Sequence, residues 1–145
     1  MRFSAQWKGK IPPGLVYDHP IIQLDILPTA VAAAGGRVDP AWKIDGVDLM
    51  PYLTGKNTGK PHETLYWRFG EQWAIRKGDW KLVVNRIDGV KRRPALYNVK
   101  DDVREAADLA ARHPEKTAEL LADWRAWSVA QAEPLWPQAG ARSRD

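Results

Sequence analysis

The chain has no cysteine among its 145 residues, which excludes disulfides, thiolate metal sites and cysteine nucleophiles from it and leaves its compartment undecided. Histidine is scarce. His19, His62 and His113 are scattered, without the H-x-x-E-H or H-E-x-x-H spacing that puts metal ligands on one helix face. Long apolar runs are absent too: residues 26–34 come nearest, but Pro28 and Thr29 interrupt them and they are far too short to span a bilayer. No apolar h-region follows Met1, so no signal peptide is read; as it stands the sequence reads as cytoplasmic, with no membrane partner. Ser4, Ser128 and Ser143 lack nucleophile-elbow surroundings. Gly35-Gly36 closes a helical pattern instead of opening one, which excludes a phosphate-cradling loop there.

What is present is globular. Hydrophobic residues make up 44% and charged residues 28%, in a length that fits one domain and can bury a core. Eight tryptophans are a heavy load; rings of that size supply cores and are also common in clefts and interfaces, and most are read here as core. The net charge of +4 is unevenly placed: Arg76, Lys77, Lys81, Arg86, Lys91, Arg92 and Arg93 face only Asp79 and Asp88 over that stretch. Such a patch suits an anionic ligand or nucleic acid. It equally suits a solvated hairpin edge kept basic against edge-to-edge pairing. Nucleic acid, with only net charge behind it, is the weaker partner.

Periodicity places the elements. Residues 2–7 alternate weakly and read as a strand, ended by the turn-rich Lys8-Gly9-Lys10-Ile11-Pro12-Pro13-Gly14. Leu24, Leu27, Val31 and Ala34 recur at helical spacing, with Gly35-Gly36 as the stop. Pro28 is tolerable only near a helix start, so the helix begins around Gln23 to Asp25, where the Asp25 carboxylate favours the dipole. Asp45-Gly46-Val47-Asp48-Leu49 predicts a tight turn before a short helical turn that tacks Leu49 and Leu53 onto the core.

Residues 64–69 alternate, with Leu65, Trp67 and Phe69 on one face and Tyr66 and Arg68 on the other. Two further strands flank Gly78-Asp79, a pair suited to a two-residue hairpin turn. That turn fixes the register: Lys77 opposite Trp80, Arg76 opposite Lys81, Ile75 opposite Leu82 and Trp73 opposite Val84. Trp73, Ile75, Leu82 and Val84 then form a core face, while Arg76 and Lys81 are a mildly unfavourable like-charge pair. Residues 95–98 offer a fourth strand. His113-Pro114-Glu115 opens the last helix, with His113 as N-cap and Leu120, Leu121, Trp124 and Trp127 as its stripe, fading by Glu133-Pro134. His62 beside Glu63 reads as an ordinary loop residue more readily than as a general base. Asp101, Asp102 and Glu105 read as caps of the turn before residues 106–112.

Several motifs occur in a telling order. Gln6-Trp7-Lys8-Gly9-Lys10-Ile11-Pro12-Pro13-Gly14, Leu24-Asp25-Ile26-Leu27-Pro28-Thr29 and Asp45-Gly46-Val47-Asp48-Leu49 with Leu53-Thr54-Gly55 come first. Ala74-Ile75-Arg76-Lys77-Gly78-Asp79-Trp80-Lys81-Leu82 follows, then Leu96-Tyr97-Asn98 with Asp102 and Glu105. The series resembles the C-terminal third of arylsulfatase-type sulfatases, over about Arg2 to Trp136.

The resemblance implies a parent sulfuric ester hydrolase with a large α/β domain and a smaller antiparallel domain, periplasmic or secreted. It also implies a formylglycine nucleophile made in a C/S-x-P-S-R motif beside calcium, acting on a sulfate ester. No residue here matches that motif, so no catalytic or metal residue and no cofactor is carried over to this chain. The chain is then expected to be a C-terminal fragment, inactive alone, partnered by an N-terminal catalytic domain. Its fold class is expected to be α+β: about four antiparallel strands packed by a helix from Pro114 to about Gln131, plus an N-terminal strand and helix. Residues 1–60 read as a remnant of the large domain with a connector, 61–136 as the C-terminal subdomain and 137–145 as a frayed tail. Trp67, Arg68, Arg76 and Lys81 are the candidates for a wall of the substrate cleft. The alternative is a free-standing module that binds sulfated or other anionic polymers.

Overall fold

The computed structural model describes residues 3–87, 90–91 and 93–132, except the side chains at 86, 87 and 91. The chain divides into two compact units, Met1–Glu63 and Thr64–Asp145. Among the described residues no helix is long and apolar enough to cross a membrane.

In the first unit, a 3-10 turn over Gln23–Asp25 leads into α1 (Ile26–Ala33). Pro28 lies in the first turn of α1, where its missing N–H leaves no bond unmade. The glycine pair ends the helix as its chemistry demands. Gly35 takes φ 80°, the Gly35 N–H donates to Ala32 O and the Gly36 N–H to Val31 O, the paired bonds of a Schellman stop. A turn at Asp45-Gly46 precedes α2 (Met50–Leu53), and Leu49 at its entry is buried. Gly46 permits a close approach: a Cβ there would lie 2.0 Å from the Leu24 carbonyl oxygen.

One expectation for this unit is corrected. Residues 3–7 form no strand; no strand of either sheet pairs with them, and an extended segment without a ladder has nothing to hold it as one. The Trp7 carbonyl instead accepts from the Lys10 and Ile11 N–H groups in a turn. The helical segment turns Asp25 and Pro28 inward and leaves two leucines of its apolar stripe outside. Leu24 and Leu27 are each 53% exposed and Ala34 is exposed, whereas Asp25 and Pro28 are buried. The Asp25 carboxylate gathers hydrogen bonds from three parts of the unit, and that polar demand sets the rotation of the segment.

The second unit is α+β, a four-stranded antiparallel sheet covered by one helix. The strands are β1 (Thr64–Phe69), β2 (Gln72–Lys77), β3 (Trp80–Val84), β4 (Arg86–Ile87), β5 (Val90–Lys91) and β6 (Ala95–Asn98). The main sheet has the order β1-β2-β3-β6, and β4 and β5 make a separate ladder. The β2–β3 register is the one the turn dictates: Trp73 pairs with Val84, Ile75 with Leu82, Arg76 with Lys81 and Lys77 with Trp80. Gly78 takes φ 59°, a conformation in which a Cβ is strained.

Helix α3 (Pro114–Val129) starts at the proline and ends two residues short of Gln131. It covers the sheet face that carries Trp73, Ile75, Leu82, Val84 and Leu96, and Leu120 completes that core without exposure. Trp124 stacks on Trp73 at 4.3 Å and Trp127 on Tyr66 at 4.8 Å between ring centroids. Trp73, Trp80, Trp124 and Trp127 thus pack on or beside the core, while Trp7, Trp42 and Trp67 are exposed. His113 holds the N-cap position but makes no capping bond; its ring lies against Trp80 instead. Along the β6 edge, the Leu96 N–H donates to Asp108 and the Leu96 carbonyl accepts from Leu109, which blocks further strand pairing there. The expected fading of the last helix at Glu133-Pro134 and the tail at 137–145 lie outside the described residues.

Candidate functional site

Strand alternation sorts the four candidate wall residues. Pairing puts Leu65, Arg76, Lys81 and Tyr97 in one row across the sheet, and Trp67, Ala74, Val83 and Ala95 in the next row on the same face. Trp67, Arg76 and Lys81 therefore share the face opposite α3. Trp67 is 38% exposed, and Arg76 and Lys81 are half-buried. Arg68 lies on the other face. Its guanidinium donates to Ser128 O and Oγ and to Ala132 O, so a cation sits on the carbonyl end of α3, where the helix dipole favours it.

The two facing cations have different partners. Arg76 Nε donates to the Gly78 carbonyl at 3.1 Å. Lys81 Nζ donates to Glu105 Oε1 at 2.5 Å, in a pair about a quarter exposed on each side. Glu105 reaches Lys81 from a strained backbone. Its φ of 55° is left-handed, which costs a non-glycine residue about 1 kcal/mol. Asp102 builds the loop that imposes this: its Oδ2 accepts from the Ala106 and Ala107 N–H groups, and its carbonyl from Glu105. At the end of the row, burial pushes the Tyr97 phenol above its ordinary pKa, with Asp108, Glu105 and Asp102 adding to the shift. The expected caps are thus Asp102 in fact, with Asp101 bonded to Asn98 and Glu105 turned to the sheet.

The rest of the basic stretch is divided. Lys77 faces α3 and donates to Glu119 at 3.0 Å and Asp123 at 2.8 Å. The side chains of Arg86, Lys91 and Arg92, and all of Asp88, lie outside the described residues.

The first unit holds a polar cluster that the sequence reading did not bring together. Asp25 is fully buried, and its Oδ1 accepts from the Val47 N–H at 2.9 Å and its Oδ2 from the Ile22 N–H at 2.9 Å. His62 Nε2 lies 2.8 and 3.0 Å from the same two oxygens; a carboxylate only accepts, so this nitrogen carries the proton. Thr29 Oγ1 donates to the Asp25 carbonyl and accepts from the Leu49 N–H. Every oxygen of the cluster is engaged in joining residues 22, 25, 29, 47, 49 and 62, which makes it a structural knot. A separation of 37 positions hid it; the one local signal was a lone Asp inside an apolar helical pattern.

Among the described residues no three His, Asp or Glu side chains converge to hold a metal ion. No cysteine or C/S-x-P-S-R motif is present in this sequence to supply a formylglycine.

No protein-family model matches the chain. An uncharacterized sulfatase of Schizosaccharomyces pombe is 30% identical over 123 residues, covering 79% of this chain and 22% of that protein. The crystal structure of Ps i-CgsB superposes with a TM-score of 0.72 at 25% identity, over 90% of this chain and 29% of that one. The chain is homologous to the C-terminal region of the sulfatases. Its four-stranded antiparallel sheet with a C-terminal helix is the architecture of the sulfatase C-terminal subdomain. A further solved structure, of BT4656 in complex with its substrate D-glucosamine-2-N,6-O-disulfate, matches at 25% identity and a TM-score of 0.54 over 72% of this chain and 23% of that one. The chain thus spans about a quarter of the length of these sulfatase relatives.

Proposed function

We propose that this chain serves as the C-terminal region of a sulfuric ester hydrolase, and that the sheet face opposite α3 forms part of the wall of the substrate cleft. The observation that carries the reading is the gathering of Trp67, Arg76 and Lys81 on that face. An aromatic plane beside two cations suits a sugar ring that bears a sulfo group: the ring packs on the indole, and the anion takes charge-assisted hydrogen bonds. A substrate of that class, a sulfated amino sugar, is named for the BT4656 structure. Arg68, on the opposite face, secures α3 in this reading.

Calcium and the formylglycine belong to a separate catalytic domain in this proposal, and no hydrolytic step is assigned to the residues described here. The alternative of a polyanion-binding module has less support, because Lys77 is turned to α3 and already has two carboxylate partners. A nucleic-acid module is disfavoured for the same reason.

The test uses the 145-residue chain. Purified alone, it is expected to turn over no chromogenic aryl sulfate, with or without calcium. Titration with D-glucosamine-2-N,6-O-disulfate, followed by NMR, is expected to shift the Trp67 indole and the Arg76 and Lys81 amides, and Arg76→Ala or Lys81→Ala to weaken binding. Shifts confined to the α3 face, or binding indifferent to both substitutions, would sink the cleft-wall reading. Calcium-dependent turnover would overturn the assignment of catalysis to a separate domain.

A further inference from the structure

We propose that Glu105 is a built-in counter-ion that occupies Lys81 and must be displaced before a sulfo group can bridge Lys81 and Arg76. This rests on the cleft-wall reading and adds a control of affinity to it.

Three observations converge. Arg76 and Lys81 stand directly opposite one another on neighbouring strands, an arrangement that repels unless an anion lies between or beside them. Glu105 supplies one carboxylate, to Lys81, and among the described residues no carboxylate pairs with Arg76. Among the described residues the facing cations thus keep one unmatched positive charge. Glu105 also holds a left-handed backbone position that glycine would fill without strain, in a loop fastened by Asp102. The strained geometry delivers a carboxylate to Lys81, and an outlier of this kind points to use.

The consequence is a common cost for any anion that bridges the two cations. An isolated small anion must break the Lys81–Glu105 pair and gains only its contacts to Lys81 and Arg76. A sulfated saccharide brings a second contact, its ring against Trp67 on the neighbouring row. The face therefore favours a sulfo group carried on a sugar over free sulfate.

Glu105→Gln removes the competing charge and keeps the length of the side chain. Glu105→Gly removes the charge and the strain together, so it guards against a folding defect in the first variant. Both are expected to bind D-glucosamine-2-N,6-O-disulfate and inorganic sulfate about two- to five-fold more tightly than the parent chain, the range set by a partly exposed ion pair. The fold-gain should be the same for both ligands, because each displaces the same carboxylate, and Lys81→Ala should abolish it. Lys77→Ala, on the α3 face, should leave binding unchanged. If Arg76→Ala and Lys81→Ala weaken saccharide binding while neither Glu105 variant strengthens it, the counter-ion proposal fails and the cleft wall stands. If neither cation matters, both readings fail together.

Discussion

Asp25→Ala offers the sharpest test of the polar knot in the first unit. The carboxylate is fully buried and accepts from two backbone N–H groups, Ile22 and Val47, and from His62 Nε2. Alanine leaves all three donors without an acceptor in a place that water enters poorly. Each part-buried donor stranded in this way costs about 1–3 kcal/mol, so the expected destabilisation is about 4 kcal/mol. His62→Ala should cost less, about 1–2 kcal/mol, because the carboxylate keeps both backbone donors. Asp39→Ala is the reference, since its carboxylate also accepts a backbone N–H, from Ala41, but in an exposed cap worth about 1 kcal/mol or less. Urea denaturation measures the size of each effect. Amide exchange at Ile22 and Val47 shows where it acts, and protection there should be lost before any change in β2 and β3. An Asp25→Ala chain no less stable than Asp39→Ala, or an unchanged Val47 amide, would refute the reasoning.

The sheet and its helix yield two more expectations. Ile75→Asp should destabilise the second unit by about 4 kcal/mol or more, by removing full apolar burial and burying a charge, whereas Arg76→Ala on the opposite face should cost under about 1 kcal/mol; equal denaturation midpoints would contradict the face assignment. Hydrogen bonds from Lys116 and then Lys77 hold the Glu119 carboxyl below its ordinary pKa. Its stabilising share is complete above the usual glutamate value of about 4.3 and is lost as pH falls through the lower folded value. Acid titration of stability should therefore flatten in Glu119→Gln, and the difference should shrink in high salt because the partners are exposed.

Local chemistry was enough wherever a rule acts over a few residues. Gly78-Asp79 fixed the β2–β3 register because a two-residue turn leaves one pairing, and period-two alternation then named Trp73, Ile75, Leu82 and Val84 as core. Pro114 placed the start of α3, and Gly35-Gly36 the end of α1, because each residue permits or forbids one backbone state. Alternation also split β1 into two faces, but it could not say which one meets α3. The ring of Trp127 decided that by stacking on Tyr66, 61 positions earlier, and the Arg68 guanidinium followed to the end of the same helix.

The failures share a cause. A strand needs a neighbour, and residues 3–7 show alternation without one. Helical spacing did not show that Asp25 would be buried, because its donors come from positions 22, 47 and 62. The Lys81–Glu105 pair was equally out of reach, because it depends on a left-handed turn that the sequence does not announce with a glycine. Sequence fixes what a turn, a cap or a period dictates within about one element. Which buried charge finds which donor, across 24 or 37 positions, is settled only when the chain has closed around them, since the cost of leaving a polar group unpaired arises only once water is gone.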